Sequence, residues 1–201
     1  GSTDFNERRR RFEPLGFTRI LPFGYVLVQF VQAEFGRAVR LGNPTLIRLF
    51  AFLGSNFKID GHSVLIDSVR SGDLNLTKLL LDLGADPNMR GETPLENAVK
   101  SGNIEITKLL LSRGALFTFT DHPANSPQML DLRLFIFAIR SDRTDIFDLL
   151  ASSGANINAK GEAFAFKGSI LHYVAAGIYT GKWIHRILAL GANIEERDFE
   201  G

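Results

Sequence analysis

Four histidines, His62, His122, His172 and His185, are the residues of this chain best suited to proton transfer or metal binding. A metal site needs several ligands at fixed spacing. None of the four has a second histidine or a paired carboxylate at such a distance. The chain has no cysteine, so thiolate nucleophiles, cysteine zinc sites and disulfides drop out together. Gly177-Ile178-Tyr179-Thr180-Gly181-Lys182 comes close to the spelling of a phosphate-cradling loop. It has three residues between its glycines where four are needed, and Trp183 stands where a Ser or Thr would hold magnesium. It also lies between two helical patterns, with no strand before it. No Ser nucleophile elbow and no Gly-x-Gly-x-x-Gly is present. These residues predict no catalytic, cofactor-binding or metal-binding site, and therefore no enzyme within this stretch of chain.

The remaining chemistry is that of cations and aromatic rings. Arg40, Arg70 and Lys100 each stand two residues before a glycine (Gly42, Gly72, Gly102), and Arg140 stands two before Asp142. A guanidinium or ammonium at a repeated position suits a row of carboxylates on another protein, through steering and charge-assisted hydrogen bonds. Arg90 and Lys160 fall in connecting segments that could extend the same surface. Phe164 and Phe166 alternate in a short segment. They fit either a loop anchor for a partner or a strand with one face packed inward.

The recurrence of these cations follows a repeat of the whole chain. Gly72-Asp73, Leu76, Leu79, Leu80, Leu81, Gly84 and Ala85 return thirty residues later as Gly102-Asn103, Ile106, Leu109, Leu110, Leu111, Gly114 and Ala115. Thr77-Lys78-Leu79-Leu80-Leu81 and Thr107-Lys108-Leu109-Leu110-Leu111 have the same spelling. Weaker copies centre on Leu46–Gly54, Ile146–Asn158 and Ile184–Asn193. Each copy predicts two short helices, such as Pro94–Ser101 and Ile104–Leu111, with apolar residues at i, i+3 and i+4. A tight turn separates them, and a Gly-Ala pair ends the second. One such pair cannot bury its apolar side alone, whereas stacked neighbours can.

Gly91-Glu92-Thr93-Pro94-Leu95-Glu96-Asn97-Ala98, followed by Leu109–Ala115, resembles an ankyrin repeat. Gly84-Ala85-Asp86-Pro87-Asn88 and Gly154-Ala155-Asn156-Ile157-Asn158 match the Gly-Ala-Asp-x-Asn ending of that family. Ser169-Ile170-Leu171-His172 is similar to its Thr-Pro-Leu-His start, where the histidine makes structural hydrogen bonds between repeats. The resemblance covers about Glu34 to Gly201. It implies an all-α solenoid of about five helix-turn-helix units with short hairpin loops and an N-terminal capping helix. It also implies a protein-binding module, with Arg40, Arg70, Lys100 and Arg140 opening onto the concave surface. With helices about 8–10 Å apart, four such rungs make a basic ladder roughly 30 Å long. The thirty-residue spacing is shorter than the family's 33 or so. The deficit falls between Asn88 and Gly91, which predicts stubby fingers there. Two insertions, roughly Thr118–Leu130 and Gly161–Gly168, lengthen later units.

The expected organisation is a tag remnant and partly flexible extension over 1–22 and a repeat domain over 23–201. The repeats fall near 31–60, 61–90, 91–130, 131–160 and 161–197, and 198–201 spells the start of another. Leu27, Phe30, Val31, Phe35 and Ala38 lie on one helical face, and the apolar run Phe23–Val31 predicts a covered position. Phe50, Phe135, Phe147 and Trp183 fall on core positions of their repeats. A formal net charge of +1 argues against a nucleic-acid partner, whose phosphates demand a basic excess. Arg8–Arg11 reads as a solvated end in preference to an import signal. No apolar run reaches the about 18 residues that a membrane span needs. The expectation is a monomer inside the cell, in the cytoplasm or nucleus, bound to a protein with an acidic surface or segment. The alternative is a substrate-recruiting module of a larger enzyme, such as a bacterial effector, with catalysis elsewhere.

Overall fold

The computed structural model describes residues 21–59, 62–88, 93–117, 127–163, 166–177 and 181–195. The described helices are α1 (Leu21–Arg40), α2 (Pro44–Phe52), α3 (Val64–Arg70), α4 (Leu74–Asp82), α5 (Pro94–Lys100), α6 (Ile104–Ser112), α7 (Pro127–Arg140), α8 (Thr144–Ser152), α9 (Ile170–Ala176) and α10 (Gly181–Ala189). They fall in sequence as five pairs, as the repeat predicts. Two antiparallel hairpins interleave with them: β1 (Lys58–Ile59) with β2 (His62–Ser63), and β3 (Lys160–Ala163) with β4 (Phe166–Ser169).

Among the described residues, those up to Ser68 together with Asn75–Ala85 form one compact unit. Val69–Leu74 together with the chain from Asp86 onward form the other. In the first unit α1 packs on α2, and Asn43 caps α2 by accepting the Thr45 and Leu46 amides at 3.1 Å each. Phe35 is fully buried and meets Phe57 edge to face, with centroids 6.0 Å apart. Ser55 and Asn56 tie back to α1 through the Val31 carbonyl and the Gln32 amide. Buried Thr77 donates to Ser68 Oγ at 3.0 Å, and Ser68 donates to the Leu65 carbonyl at 2.8 Å.

The expectation that the apolar start of α1 is covered fails within this unit. Leu27, Val28 and Phe30 are 50%, 65% and 58% exposed, although Phe35 and Ala38 are buried as expected. The cause is length. α1 has 20 residues and α2 has 9, so α1 runs about 30 Å against a partner less than half as long. Phe50 is half-buried only, while its counterparts further along are core.

In the second unit α5 packs on α6 and α7, α7 on α8, α9 and β3, and α9 on α10. Its core stacks Leu95, Ile106, Leu110, Leu134, Phe135, Ile146, Phe147, Trp183 and Ile187, all at most 2% exposed. Burying each of these is worth about 1.5–3 kcal/mol. Phe147 sits between Phe135 and Trp183, with centroids 4.6 and 5.2 Å away. The Thr93-Pro94 start has a mechanical meaning: Thr93 Oγ1 caps α5 by accepting the Glu96 amide at 2.9 Å, and Pro94 occupies the first turn. The Gly-Ala ending has one too. Gly114 takes φ 81°, and the Ala115 amide closes α6 by donating to the Leu110 carbonyl at 3.0 Å.

One detail departs from the sequence expectation. Pro127–Leu130, expected in a turn-rich insertion, forms the first turn of α7, because Pro is well suited to the start of a helix. Within the second insertion, Gly161–Ala163 and Phe166–Gly168 pair as the β3–β4 hairpin, in register Gly161 with Gly168 and Ala163 with Phe166, so the strand alternative for this segment holds for its described backbone. The expected stubby finger at residues 89–92 lies outside the described residues.

Candidate partner-binding surface

Arg70, Lys100 and Arg140 end α3, α5 and α7, and all three are exposed. A cation in the last turn faces the negative end of the helix dipole, so each is favourable before any partner arrives. The turn residue two places on sets the register. Gly72 and Gly102 have φ 74° and 70°, and Asp142 takes the same left-handed conformation at φ 51°. In the first unit, Arg40 ends α1 at the same register before Gly42 and is exposed.

The second unit does not leave these cations dangling. Arg70 Nε donates to Asn97 Oδ1 at 3.0 Å. Asn97 is oriented for this, because its Nδ2 donates to the Thr93 carbonyl at 2.8 Å. The Lys100 ammonium lies 5.8 Å from the centre of the Phe137 ring, a cation–π contact. Asn97 and Phe137 stand three residues before Lys100 and Arg140 respectively. Arg70 and Lys100 therefore each lean on the next first helix at one register. Tyr173 holds that register on α9 and is half-buried. The row of cations stops there, since Ala176 occupies the place of Lys100 and Arg140.

Three further contacts brace the second unit. Arg133 on α7 pairs with Glu96 on α5, whose carboxylate is buried. Arg143 spans two repeats: it donates to the Gly102 carbonyl and pairs with Asp145 at 2.6 Å, which holds the Asp145 carboxyl below its ordinary range. Arg186 on α10 pairs with Asp148 on α8.

The recurring Asn of the repeat ending is a hook. Asn88 accepts the Leu116 amide at 2.7 Å and donates to the Gly114 carbonyl at 2.9 Å. Asn158 does the same with the Asn193 amide at 2.8 Å and the Gly191 carbonyl at 3.2 Å. Asp131, on the N-terminal part of α7, accepts the Asn156 amide at 3.2 Å. Its other oxygen is buried without a hydrogen-bond partner, and burial pushes its carboxyl up to about 6.

The other predicted site residues fare unevenly. Lys160 opens β3 and is half-buried, so it is not at an exposed finger tip. Phe166 opens β4, its backbone paired with Ala163. Arg90, Phe164, His122 and Arg8–Arg11 lie outside the described residues. Of the histidines, His172 Nδ1 lies 2.7 Å from Ser169 Oγ at the start of its own helix, and His185 Nδ1 lies 2.7 Å from the Gly181 carbonyl oxygen. This contact of His172 thus lies within a repeat. Lys182, from the near phosphate loop, donates to Asp142 at 2.8 Å and lies 5.6 Å over the Trp183 ring. That lysine is part of the stacking of α10. Among the described residues no group of three or more His, Asp or Glu is placed to hold a metal ion. No described helix is long and apolar enough to cross a membrane.

Sequence reasoning missed Asn97 and Asp131 as working residues, and read Asp142 as a turn residue without its carboxylate's partners. Asp142 did carry a signal, as the one non-glycine in a column of turn glycines. Nothing in the spacing marked Asn97 or Asp131.

Residues 35–121 match the family model described as ankyrin repeats (3 copies), so this part of the chain carries ankyrin repeats. The stretch spans α2 to α6 and includes Arg40, Arg70 and Lys100. Ankyrin repeats serve generally as protein–protein interaction modules. No curated protein matches the chain.

Proposed function

We propose that this chain is a non-catalytic interaction module that grips an acidic segment or surface of another protein through Arg70, Lys100 and Arg140. The recurrence of one exposed cation at the end of each of α3, α5 and α7, at one register, is the observation that supports the reading. The helix dipole favours a cation at each of these ends, and a row of carboxylates on a partner would meet the same register. Pre-oriented cations lose less freedom on binding than mobile ones. Arg40 supplies a cation of the same register in the first unit, and Arg90, Lys160, Phe164 and Phe166 would extend the surface. The module acts as a monomer inside the cell, and the lack of cysteine suits a reducing compartment.

The test is capture of partners from cell lysate with the chain and with a doubly reversed variant, Arg70→Glu with Lys100→Glu, read by mass spectrometry. The reading requires proteins with acidic segments that the variant loses while its circular dichroism stays that of the parent. Equal capture by both would remove this face from the account and leave the fold intact.

A further inference from the structure

The register of the three cations also constrains the backbone conformation of what they hold. We infer that the ligand is an extended acidic segment in the polyproline II conformation, with a carboxylate at every third residue. This rests on the proposed function above and narrows it.

Successive first helices that pack side by side stand about 8–10 Å apart. α5 and α7 do pack side by side, and the Arg70–Asn97 and Lys100–Phe137 contacts tie each cation to the next first helix. Both cations lean in the same chain direction and onto the same register. The step from one cation to the next is therefore about one helix spacing. A ligand must present carboxylates on one side of its backbone at that step.

A β-strand presents every second residue on one side. Its same-side steps are about 6.6 or 13 Å, which miss the rungs. An α-helix needs about seven residues to return to the same side, a step of about 10.5 Å, just past the upper end. Polyproline II has three residues per turn and rises about 3.1 Å per residue, so every third side chain returns to the same side after about 9 Å. That falls inside the range. Three cations then match about seven residues of ligand, with acids at the first, fourth and seventh. Such a segment carries little conformational entropy to lose, and its solvated backbone needs no sheet edge to pair with. Beyond Arg140 the row ends at Ala176, so a fourth carboxylate in register would gain nothing.

The probes are fluorescent peptides of one composition, with Glu at every third position between prolines, or with the same Glu residues placed together. A strand-register peptide with Glu at alternate positions and a helical one with Glu seven apart complete the set. Binding to the full chain is read by fluorescence anisotropy at low and physiological salt. The every-third peptide should bind about tenfold tighter than its clustered isomer. Lys100→Gln, which removes the middle rung, should bring that ratio close to one. Lys108→Gln, an exposed lysine of α6 away from the row, should leave it unchanged. Equal binding of the isomers, or preference for the helical or alternate peptide, overturns the conformational inference. If the doubly reversed Arg70→Glu, Lys100→Glu variant loses that binding, the acidic-partner reading survives alone. If no peptide binds, or the row variants bind as the parent does, both fall.

Discussion

The indole N–H of Trp183 donates to the carboxylate of Asp142 at 3.2 Å, across forty-one residues of chain. The two residues solve one another's problem. Asp142 holds a left-handed backbone that non-glycine residues adopt at a cost, and Trp183 buries a large ring whose N–H needs a partner. Lys182 pairs with the same carboxylate and holds it below the ordinary range.

Asp142 can therefore be dissected by two substitutions. Asp142→Gly relieves the backbone and loses the carboxylate, whereas Asp142→Ala loses the carboxylate and keeps the strain. The alanine variant should have the lower urea midpoint. Trp183 is the only tryptophan, so its emission reports the transition directly. A glycine variant less stable than the alanine variant would contradict the assigned backbone role.

The Arg70–Asn97 contact predicts a graded pair of variants. Asn97→Asp keeps the oxygen that Arg70 donates to and loses the donor to the Thr93 carbonyl. Asn97→Ala loses both, and should cost on the order of 1–2 kcal/mol in chemical denaturation, more than the aspartate variant. Equal costs would mean that Arg70 gains nothing from Asn97.

The ring stack carries a larger share. Phe147 is fully buried between Phe135 and Trp183. Phe147→Ala should destabilise the second unit by about 3–5 kcal/mol and shift Trp183 emission toward longer wavelength in the native state. Phe147→Leu should cost clearly less, since it leaves a smaller void.

Asp131 makes stability depend on pH in an uncommon direction. Its carboxyl titrates at about 6 when folded, against an ordinary 3.8. Between those values the folded chain binds the extra proton, so stability falls as pH rises from about 4 through 6 and then levels off. Asp131→Asn removes this loss. It should be more stable than the parent by on the order of 2 kcal/mol at pH 7, and the gap should close toward pH 4. A gap independent of pH would show that Asp131 is not the group responsible.

Much of the molecule was legible from spacing, because its signals are local. The thirty-residue recurrence, the apolar i, i+3, i+4 pattern and the Gly-Ala endings each act within one helix pair, and they located the helices of the repeats. Trp183, Phe135 and Phe147 were legible as core for the same reason. The cation row was legible as a register, since two residues before a turn is a statement about sequence alone.

What only the tertiary structure decided is which neighbour each residue meets. Nothing along the chain pairs Arg70 with Asn97, Lys100 with Phe137, or Asp142 with Trp183, because those distances are set by how one helix pair lies on the next. The exposure of Leu27, Val28 and Phe30 follows from the unequal lengths of α1 and α2, which periodicity within α1 does not contain. The raised carboxyl of Asp131 has the same origin, since desolvation depends on everything packed around a group. Local propensity and pattern act over a turn or two of helix, while burial and electrostatics sum over all neighbours in space.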